Sequence, residues 1–306
     1  MKMAYIAFLA SLLLSGTNGI VASFISLPSS QVVFLRAMIG SLFMIAIFLI
    51  AGKRFTFWQH KRHFLYLALS GATMGASLLF VFEAYREVGV GVSALVYYCA
   101  PVIVMALSPL LFGEKLTRPK VIGFGVVLVG LFLLNGQTLS QGGSQTGLLL
   151  AGMGALTFAA FVILNKKATE IKGLENTVLQ LFFSFLTIGI YIAVTQGFAF
   201  QIAQTDWLPI LILGFVNTGI GGFLYFSAMG KLPVQTVSIC GYMEPLSAVI
   251  LSAFILQETL APLQVAGTVL IVGGAVAGMC IKQRSSARRE ELPTPGAAQA
   301  EISSIG

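Results

Sequence analysis

Charged side chains are scarce in this 306-residue chain. Only 9% of its residues are Asp, Glu, Lys or Arg, against about 25% in an average soluble domain. A water-soluble fold must cover its outside with polar groups, yet 57% of this chain is hydrophobic. Disordered chains are poor in aromatic residues, whereas this one contains 24 Phe. The composition therefore excludes both classes and predicts an all-α membrane protein.

Cysteine is scarce as well, and the usual catalytic motifs are missing. Cys99, Cys240 and Cys280 lie in or at the end of apolar segments, which is typical of small buried hydrophobic residues and not of a disulfide framework. The sequence has no phosphate-binding Gly-Lys-Ser/Thr loop, no His/Cys metal cluster and no Ser-His-Asp set. We therefore predict a non-enzymatic protein with no metal and no cofactor.

Ten apolar runs are long enough to cross the hydrocarbon core, which takes a helix of about 20 residues. Their short connections leave no room for an extramembrane domain, and the polar tail 282–306 has a composition typical of disorder. The first run resembles a signal peptide, but the repeat described below requires it as a helix. The ten predicted spans are 3–26, 31–51, 64–86, 90–112, 119–135, 147–165, 175–195, 207–229, 234–256 and 263–281.

The basic residues predict the orientation of these spans. Nearly all of the 18 Lys and Arg residues fall in loops on one side of the predicted membrane, while Arg86 is on the other side and Arg36 lies within the second span. Because basic loops stay in the cytoplasm, both termini are expected there, in a multi-pass protein of a bacterial inner membrane. The net charge of +7 then reflects orientation and does not indicate nucleic-acid binding.

The middle of the chain matches its end without a gap at an offset of 144 residues. Each copy contains five spans, an odd number, so the second copy must enter the membrane from the opposite face. We therefore predict two inverted five-helix repeats, 1–140 and 141–281, an architecture of transporters, although duplication could also have produced a merely stable bundle. The matched pairs include Tyr98/Tyr242, Pro101/Pro245, Glu114/Glu258, Gly123/Gly267 and Gly130/Gly274.

These paired motifs carry a resemblance to a known family. A proline in mid-span, then Gly-Glu-Lys-Leu at 113–116 or Gln-Glu-Thr-Leu at 257–260, then a glycine-spaced last helix resembles the EamA-type members of the drug/metabolite transporter superfamily. The step Phe-Leu-Arg-Ala at 34–37 is similar to the family as well, and the resemblance covers about residues 4–281. It implies a ten-helix carrier with a central cavity that mostly exports amino acids or other small metabolites. It does not identify the substrate.

Two charged residues lie at membrane depth. Glu244 falls near the middle of the ninth span, where a lone charge costs several kcal/mol, so it must face the interior, pair or be protonated. We interpret it as a carboxylate for a substrate amine or as a protonatable coupling site, and the alternative is a structural ion pair with Arg36. Arg36 could hold a substrate carboxylate, or it could snorkel or cap neighbouring carbonyl groups.

Other polar residues at depth are candidates for substrate binding. Tyr97, Tyr98, Tyr225 and Tyr242 could stack on an aromatic or cationic solute. Asn18 and Asn217 could bind polar groups of the substrate or form interhelical hydrogen bonds.

Two further sets of residues suggest movement. Glu83, Arg86 and Glu87 share one helical face at the end of the third span, as a self-paired cluster or as an outer gate that exchanges partners. Pro101 and Pro245 lie near the middle of the fourth and ninth spans, where proline kinks a helix, and are predicted hinges.

Together these features predict a secondary transporter that works by alternating access. The first candidate cargo is an amino acid or another amine-bearing compound moved by export, and the alternative is an organic cation such as a quaternary amine or a drug. The expected partners are the small-molecule substrate and membrane lipid, with protons as a candidate coupling partner, but not nucleic acid. A monomer is compatible with this architecture, and the sequence leaves the oligomeric state open.

Overall fold

The computed structural model describes residues 2–135, 144–255, 262–263, 265–274 and 277. Every regular element within these ranges is helical. Six helical stretches in the described part of the chain are long and apolar enough to cross a membrane: Lys2–Ser23, Ser29–Ile50, Lys61–Val88, Gln145–Lys167, Gly173–Thr195 and Gln204–Met229. The prediction of an all-helical protein with membrane-spanning character is confirmed. Glu258 and the tail 282–306 lie outside the described residues, and the count of ten spans stays a prediction.

Up to residue 135 the chain forms six helices. They are α1 (Lys2–Gly16), α2 (Asn18–Ser23), α3 (Ser29–Ile50), α4 (Lys61–Tyr97), α5 (Ala100–Phe112) and α6 (Arg118–Asn135). The α5 helix ends at Gly113, whose φ of 65° is left-handed and therefore suits a glycine cap.

From residue 144 onwards the structure has helices α7 to α13 and a π-helical segment between α9 and α10. They are α7 (Gln145–Lys167), α8 (Gly173–Thr195), α9 (Trp207–Leu211), the π-helical segment Ile212–Ile220, α10 (Gly221–Met229), α11 (Val234–Gly241), α12 (Met243–Ile255) and α13 (Val265–Gly274).

The α4 helix reverses direction within its length. Ser77 Oγ lies 3.4 Å from Tyr97 Oη, although a straight helix would separate the two residues by about 30 Å. Tyr97 also reaches the position of Gly154 on α7, where Val81 of α4 packs as well. Gly147, seven residues before Gly154 on α7, faces Val88 of α4, so the chain turns back between Val88 and Tyr97. This agrees with the predicted boundary between spans 64–86 and 90–112.

The two prolines that were expected in mid-helix lie instead at the start of new helices. The helix breaks at Tyr98, where ψ is 1°, and at Tyr242, where ψ is −7°. Pro101 and Pro245 then fall in the first turns of α5 and α12. A proline in a first turn loses no hydrogen bond, because the N–H groups there have no intrahelical acceptor. The expectation of kinked continuous helices is therefore corrected to broken helices, and the hinge role stays a prediction.

The helices α6 and α13 cross in backbone contact. A Cβ atom on Gly130 would lie 2.7 Å from the carbonyl oxygen of Gly267, and one on Gly274 would lie 2.6 Å from that of Gly123. The two contacts exchange places under the 144-residue offset, because Gly123 matches Gly267 and Gly130 matches Gly274. Only glycine permits so close an approach.

Carboxylates hold two loops against neighbouring helices. Glu175 on α8 accepts hydrogen bonds from the backbone N–H groups of Thr56 (2.7 Å) and Phe57 (2.9 Å) and from the Thr56 hydroxyl (2.7 Å). Asp206 accepts hydrogen bonds from the backbone N–H of Ser26 (3.1 Å) and from its hydroxyl (2.5 Å). The connections on either side of α3 are thereby fixed to the part of the chain beyond residue 144.

The α6–α13 crossing generates a stability prediction. We expect Gly130→Ala to lower the free energy of unfolding by about 1–3 kcal/mol, because the new methyl group must push the Gly267 backbone away. The matched control is Gly125→Ala on the same helix, where a Cβ would meet no atom within 4 Å. Thermal unfolding of the purified variants in detergent measures the difference. Equal melting temperatures for the two variants would contradict the crossing.

Candidate functional site

A cavity of about 170 Å³ lies between helices from both parts of the chain. Its wall is mostly apolar, with side chains such as Leu12, Met74 and Phe161. A largely apolar pocket with a few convergent polar groups is the usual form of a small-molecule site. The predicted site residues that line it are Asn18, Arg36, Tyr97, Tyr98, Pro101, Asn217, Tyr225 and Glu244.

Glu244 and Arg36 face the same cavity from different helices. Glu244 lies in the first turn of α12 and Arg36 lies on α3. The only ion pair within 4.0 Å among the described residues is Arg86–Glu83, so Arg36 and Glu244 do not touch. Neither side chain hydrogen-bonds to another residue in the part of the chain that the structure describes, although each interacts electrostatically with the other. The cavity therefore presents one positive and one negative group without a direct partner.

Three tyrosines form an aromatic part of the cavity wall. Tyr97 packs edge-on against Phe158 with ring centroids 5.4 Å apart, and it lies 5.8 Å from the ring of Tyr98. Tyr225 stacks near Phe161 at 6.3 Å. Their rings can pack against the apolar or cationic part of a solute, while their hydroxyl groups remain able to donate hydrogen bonds.

Tyr242 is the predicted binding tyrosine that lies behind the wall. It is fully buried, and its hydroxyl donates a hydrogen bond of 2.8 Å to the backbone carbonyl of Tyr98. That carbonyl stands at the break between α4 and α5, where the helical hydrogen-bond ladder is interrupted. Tyr242 thus provides a partner for a backbone group that the break would leave exposed to apolar surroundings.

The two predicted asparagines are hydrogen-bonded to each other. The Nδ2 of Asn217 shares its two hydrogens among three acceptors within hydrogen-bond distance: Asn18 Oδ1 (3.0 Å), Thr17 Oγ1 (2.7 Å) and the carbonyl of Leu14 (2.9 Å). These bonds join the π-helical segment to α1 and α2 at the edge of the cavity. The interhelical alternative is therefore realised in this conformation, while both side chains still line the cavity.

The predicted gate cluster lies apart from the cavity. Arg86 Nη1 lies 3.2 Å from Glu83 Oε2, and the hydroxyl of Tyr191 donates a 2.8 Å hydrogen bond to the same carboxylate. Ser144, at the start of α7, donates a 3.1 Å bond to Glu87. The cluster ties α4 to α7 and α8, and this arrangement favours the self-paired alternative.

A buried polar network beneath the cavity was not foreseen from the sequence. Gln235, fully buried on α11, donates a 2.8 Å hydrogen bond to the hydroxyl of Ser108 on α5 and accepts one from Lys120. Glu114 accepts hydrogen bonds from the backbone N–H groups of Val234 (2.7 Å) and Gln235 (3.1 Å). Ser108 and Gln235 each lie about one helical turn from a cavity residue, Val104 and Ser238 respectively. This network, here called the floor network, lies next to that end of the cavity.

One signal for the floor network was present in the sequence. Gln235 is a polar residue inside the apolar ninth span, and Glu114 belongs to the paired motif. The sequence could not show that the two meet, because 120 residues separate Glu114 from Val234.

Comparison with known proteins gives consistent matches. The model of the EamA-like transporter family matches residues 2–136 and 145–278. An uncharacterized transporter of Bacillus subtilis (strain 168) is 26% identical over 280 residues, which cover 89% of this chain and 88% of the relative. A Salmonella typhimurium (strain LT2) protein named "Probable amino-acid metabolite efflux pump" is 26% identical over 200 residues, covering 60% of this chain and 65% of that protein.

A solved structure shares the fold. A protein known from its crystal structure, 21% identical in sequence, superposes with a TM-score of 0.78 over 91% of this chain and 98% of that one.

The contact between the two matched tyrosines generates a second prediction. We expect Tyr242→Phe to lower the free energy of unfolding by about 1–3 kcal/mol, because the buried carbonyl of Tyr98 loses its partner. The control is Tyr5→Phe, since the Tyr5 hydroxyl makes no hydrogen bond to the residues that the structure describes. Thermal unfolding in detergent compares the two variants, and a loss of the same size in both would speak against a role for this bond.

Proposed function

This chain belongs to the EamA-like transporter family, and we propose that it is a secondary transporter that exports an amino acid or a related amine-bearing compound by alternating access. The observation that carries the proposal is the cavity that both Glu244 and Arg36 line without an ion pair between them. A relative named as an amino-acid metabolite efflux pump supports the same substrate class. Transport, not catalysis, is the activity that the family implies.

We propose further that ten spans form two inverted five-helix repeats, 1–140 and 141–281. Two observations support this division. The family model matches the chain twice, over 2–136 and 145–278. The reciprocal contacts Gly130–Gly267 and Gly274–Gly123 are also those that a two-fold axis between the repeats would produce.

The floor network supports alternating access. It joins α5 to α11 by a hydrogen bond between Ser108 and Gln235, about one helical turn from the cavity lining. In the proposed cycle these bonds break when the cavity opens towards that end. Their loss costs little where water can replace them, because a typical hydrogen bond contributes only about 1 kcal/mol net.

The distribution of Lys and Arg supports a bacterial inner membrane with both termini in the cytoplasm. In that orientation the floor network lies towards the cytoplasm, next to the basic 113–118 segment. Glu244 is also the candidate for proton coupling, since it is a carboxylate at membrane depth with no direct counter-ion.

An organic cation is the second candidate substrate. The observation that favours it is the group of tyrosines around the cavity, because Tyr97, Tyr98 and Tyr225 offer ring faces on which a quaternary amine can lie.

We predict that Glu244→Gln reduces substrate flux at least about 10-fold, as expected when a charge-assisted contact is lost, while the protein still folds. The assay is transport of radiolabelled leucine, methionine and phenylalanine into proteoliposomes, with and without a pH gradient. A carboxylate that exchanges protons should make wild-type flux depend on the gradient and the flux of the variant independent of it.

The control for this experiment is Glu170→Gln, which removes an exposed carboxylate from the α7–α8 connection. We expect it to transport like the wild type. Unchanged flux in well-folded Glu244→Gln would refute the role of this carboxylate.

A further inference from the structure

We propose that the cavity selects zwitterions, with Glu244 holding the ammonium group of the substrate and Arg36 holding its carboxylate. The inference rests on the proposed transport function and narrows its substrate class. It also decides between the two candidate substrates, because an organic cation carries only one of the two charges.

The first step is the placement of the two charges. Arg36 lies on α3 and Glu244 at the start of α12, and both line one cavity of about 170 Å³. No ion pair within 4.0 Å joins them, and neither is held by a hydrogen bond within the described ranges of the chain. The gap between them is therefore the place where a ligand can contact both charges at once.

The second step is charge balance. A monocation bound at Glu244 would leave Arg36 without a partner in an apolar cavity and would be repelled by it. A monoanion bound at Arg36 would likewise leave Glu244 without a partner and would be repelled by it. An unpaired charge in low-dielectric surroundings is costly, whereas a zwitterion satisfies both groups and adds no net charge.

The third step concerns the rest of the substrate. The remaining lining includes Leu12, Met74, Leu78, Val104, Phe161 and Leu181. Apolar side chains form most of the wall, although polar residues such as Ser15, Thr218 and Ser238 also line it, so the cavity favours a zwitterion that carries a largely apolar group. Leucine is therefore the probe, together with 3-methylbutylamine, which lacks the carboxylate, and 4-methylpentanoate, which lacks the amine.

The experiment measures competition and transport of these three compounds in proteoliposomes. For the wild type we expect leucine to be preferred over both analogues. Arg36→Gln should weaken the binding of leucine about 10- to 100-fold, which is the loss expected for a charged hydrogen bond. The binding of 3-methylbutylamine should stay unchanged or become tighter. Glu244→Gln should weaken the binding of leucine by a similar factor and should make 4-methylpentanoate a better competitor than it is for the wild type. The matched controls, Arg54→Gln and Glu170→Gln, remove exposed charges and should leave the preference for leucine unchanged.

A double variant that exchanges the two charges keeps the proposal testable if a single variant fails to fold. Arg36→Glu combined with Glu244→Arg keeps both charges and should recover part of the leucine transport that either single change loses. Monodisperse elution and a wild-type melting temperature show that each variant is folded.

Each outcome bears on one of the two proposals. Leucine transport with the same analogue preference in folded Arg36→Gln overturns the zwitterion inference but not the transport function. Wild-type protein that carries 3-methylbutylamine in preference to leucine also overturns it and supports the organic-cation alternative. Wild-type protein that carries none of the three compounds and none of the other apolar amino acids contradicts the proposed amino-acid substrate itself.

Discussion

The bilayer interior supplies no water, so every charge at membrane depth needs a partner within the protein or a reason to lack one. Three other described carboxylates, at the ends of helices, find their partners within the protein. Glu114 and Glu175 use both carboxylate oxygens on backbone N–H or hydroxyl groups, and Asp206 binds the backbone and hydroxyl of Ser26. Glu244 has no such bonds among the described residues, and it stands in a cavity with Arg36. This contrast separates a carboxylate that holds the structure together from one that is available to a ligand.

The carboxylates that bind backbone groups also join the two parts of the chain by contacts that the proposed alternating access could break. Glu114 reaches from the end of α5 to the start of α11, while Glu175 and Asp206 reach back to the connections beside α3. These contacts lie at the ends of helices, where water can replace a hydrogen bond at small net cost. The apolar packing between helices carries the larger share of stability. Breaking hydrogen bonds at the ends of the helices therefore costs less free energy than separating the apolar surfaces that pack between them.

Much of the architecture followed from hydropathy, because a bilayer forces long apolar stretches into helices. The reversal after Val88 was predicted to within a few residues, and most of the predicted site residues line one cavity. Local chemistry was harder to predict. The prolines were placed inside helices, but the chain breaks before them, and the π-helical segment Ile212–Ile220 left no signature in the apolar pattern. Tyr242 and Gln235 owe their roles to contacts with Tyr98 and Ser108, far away in sequence. Periodicity within one span does not contain that information.

Residues that match at the 144-residue offset differ in what they contact and in their charge. Tyr98 and Tyr242 are equivalent at the 144-residue offset, yet Tyr98 lines the cavity while Tyr242 supports it from behind. Ala100 and Glu244 are equivalent as well, and both line the cavity, so only one of two matched positions carries a charge. The helix breaks before Pro101 and Pro245 and the glycine crossing recur at both matched positions, so they depend on the backbone and not on one particular side chain. A difference in charge between matched positions is what the proposed binding of an amino acid requires, because an amino acid has an ammonium group at one end and a carboxylate at the other.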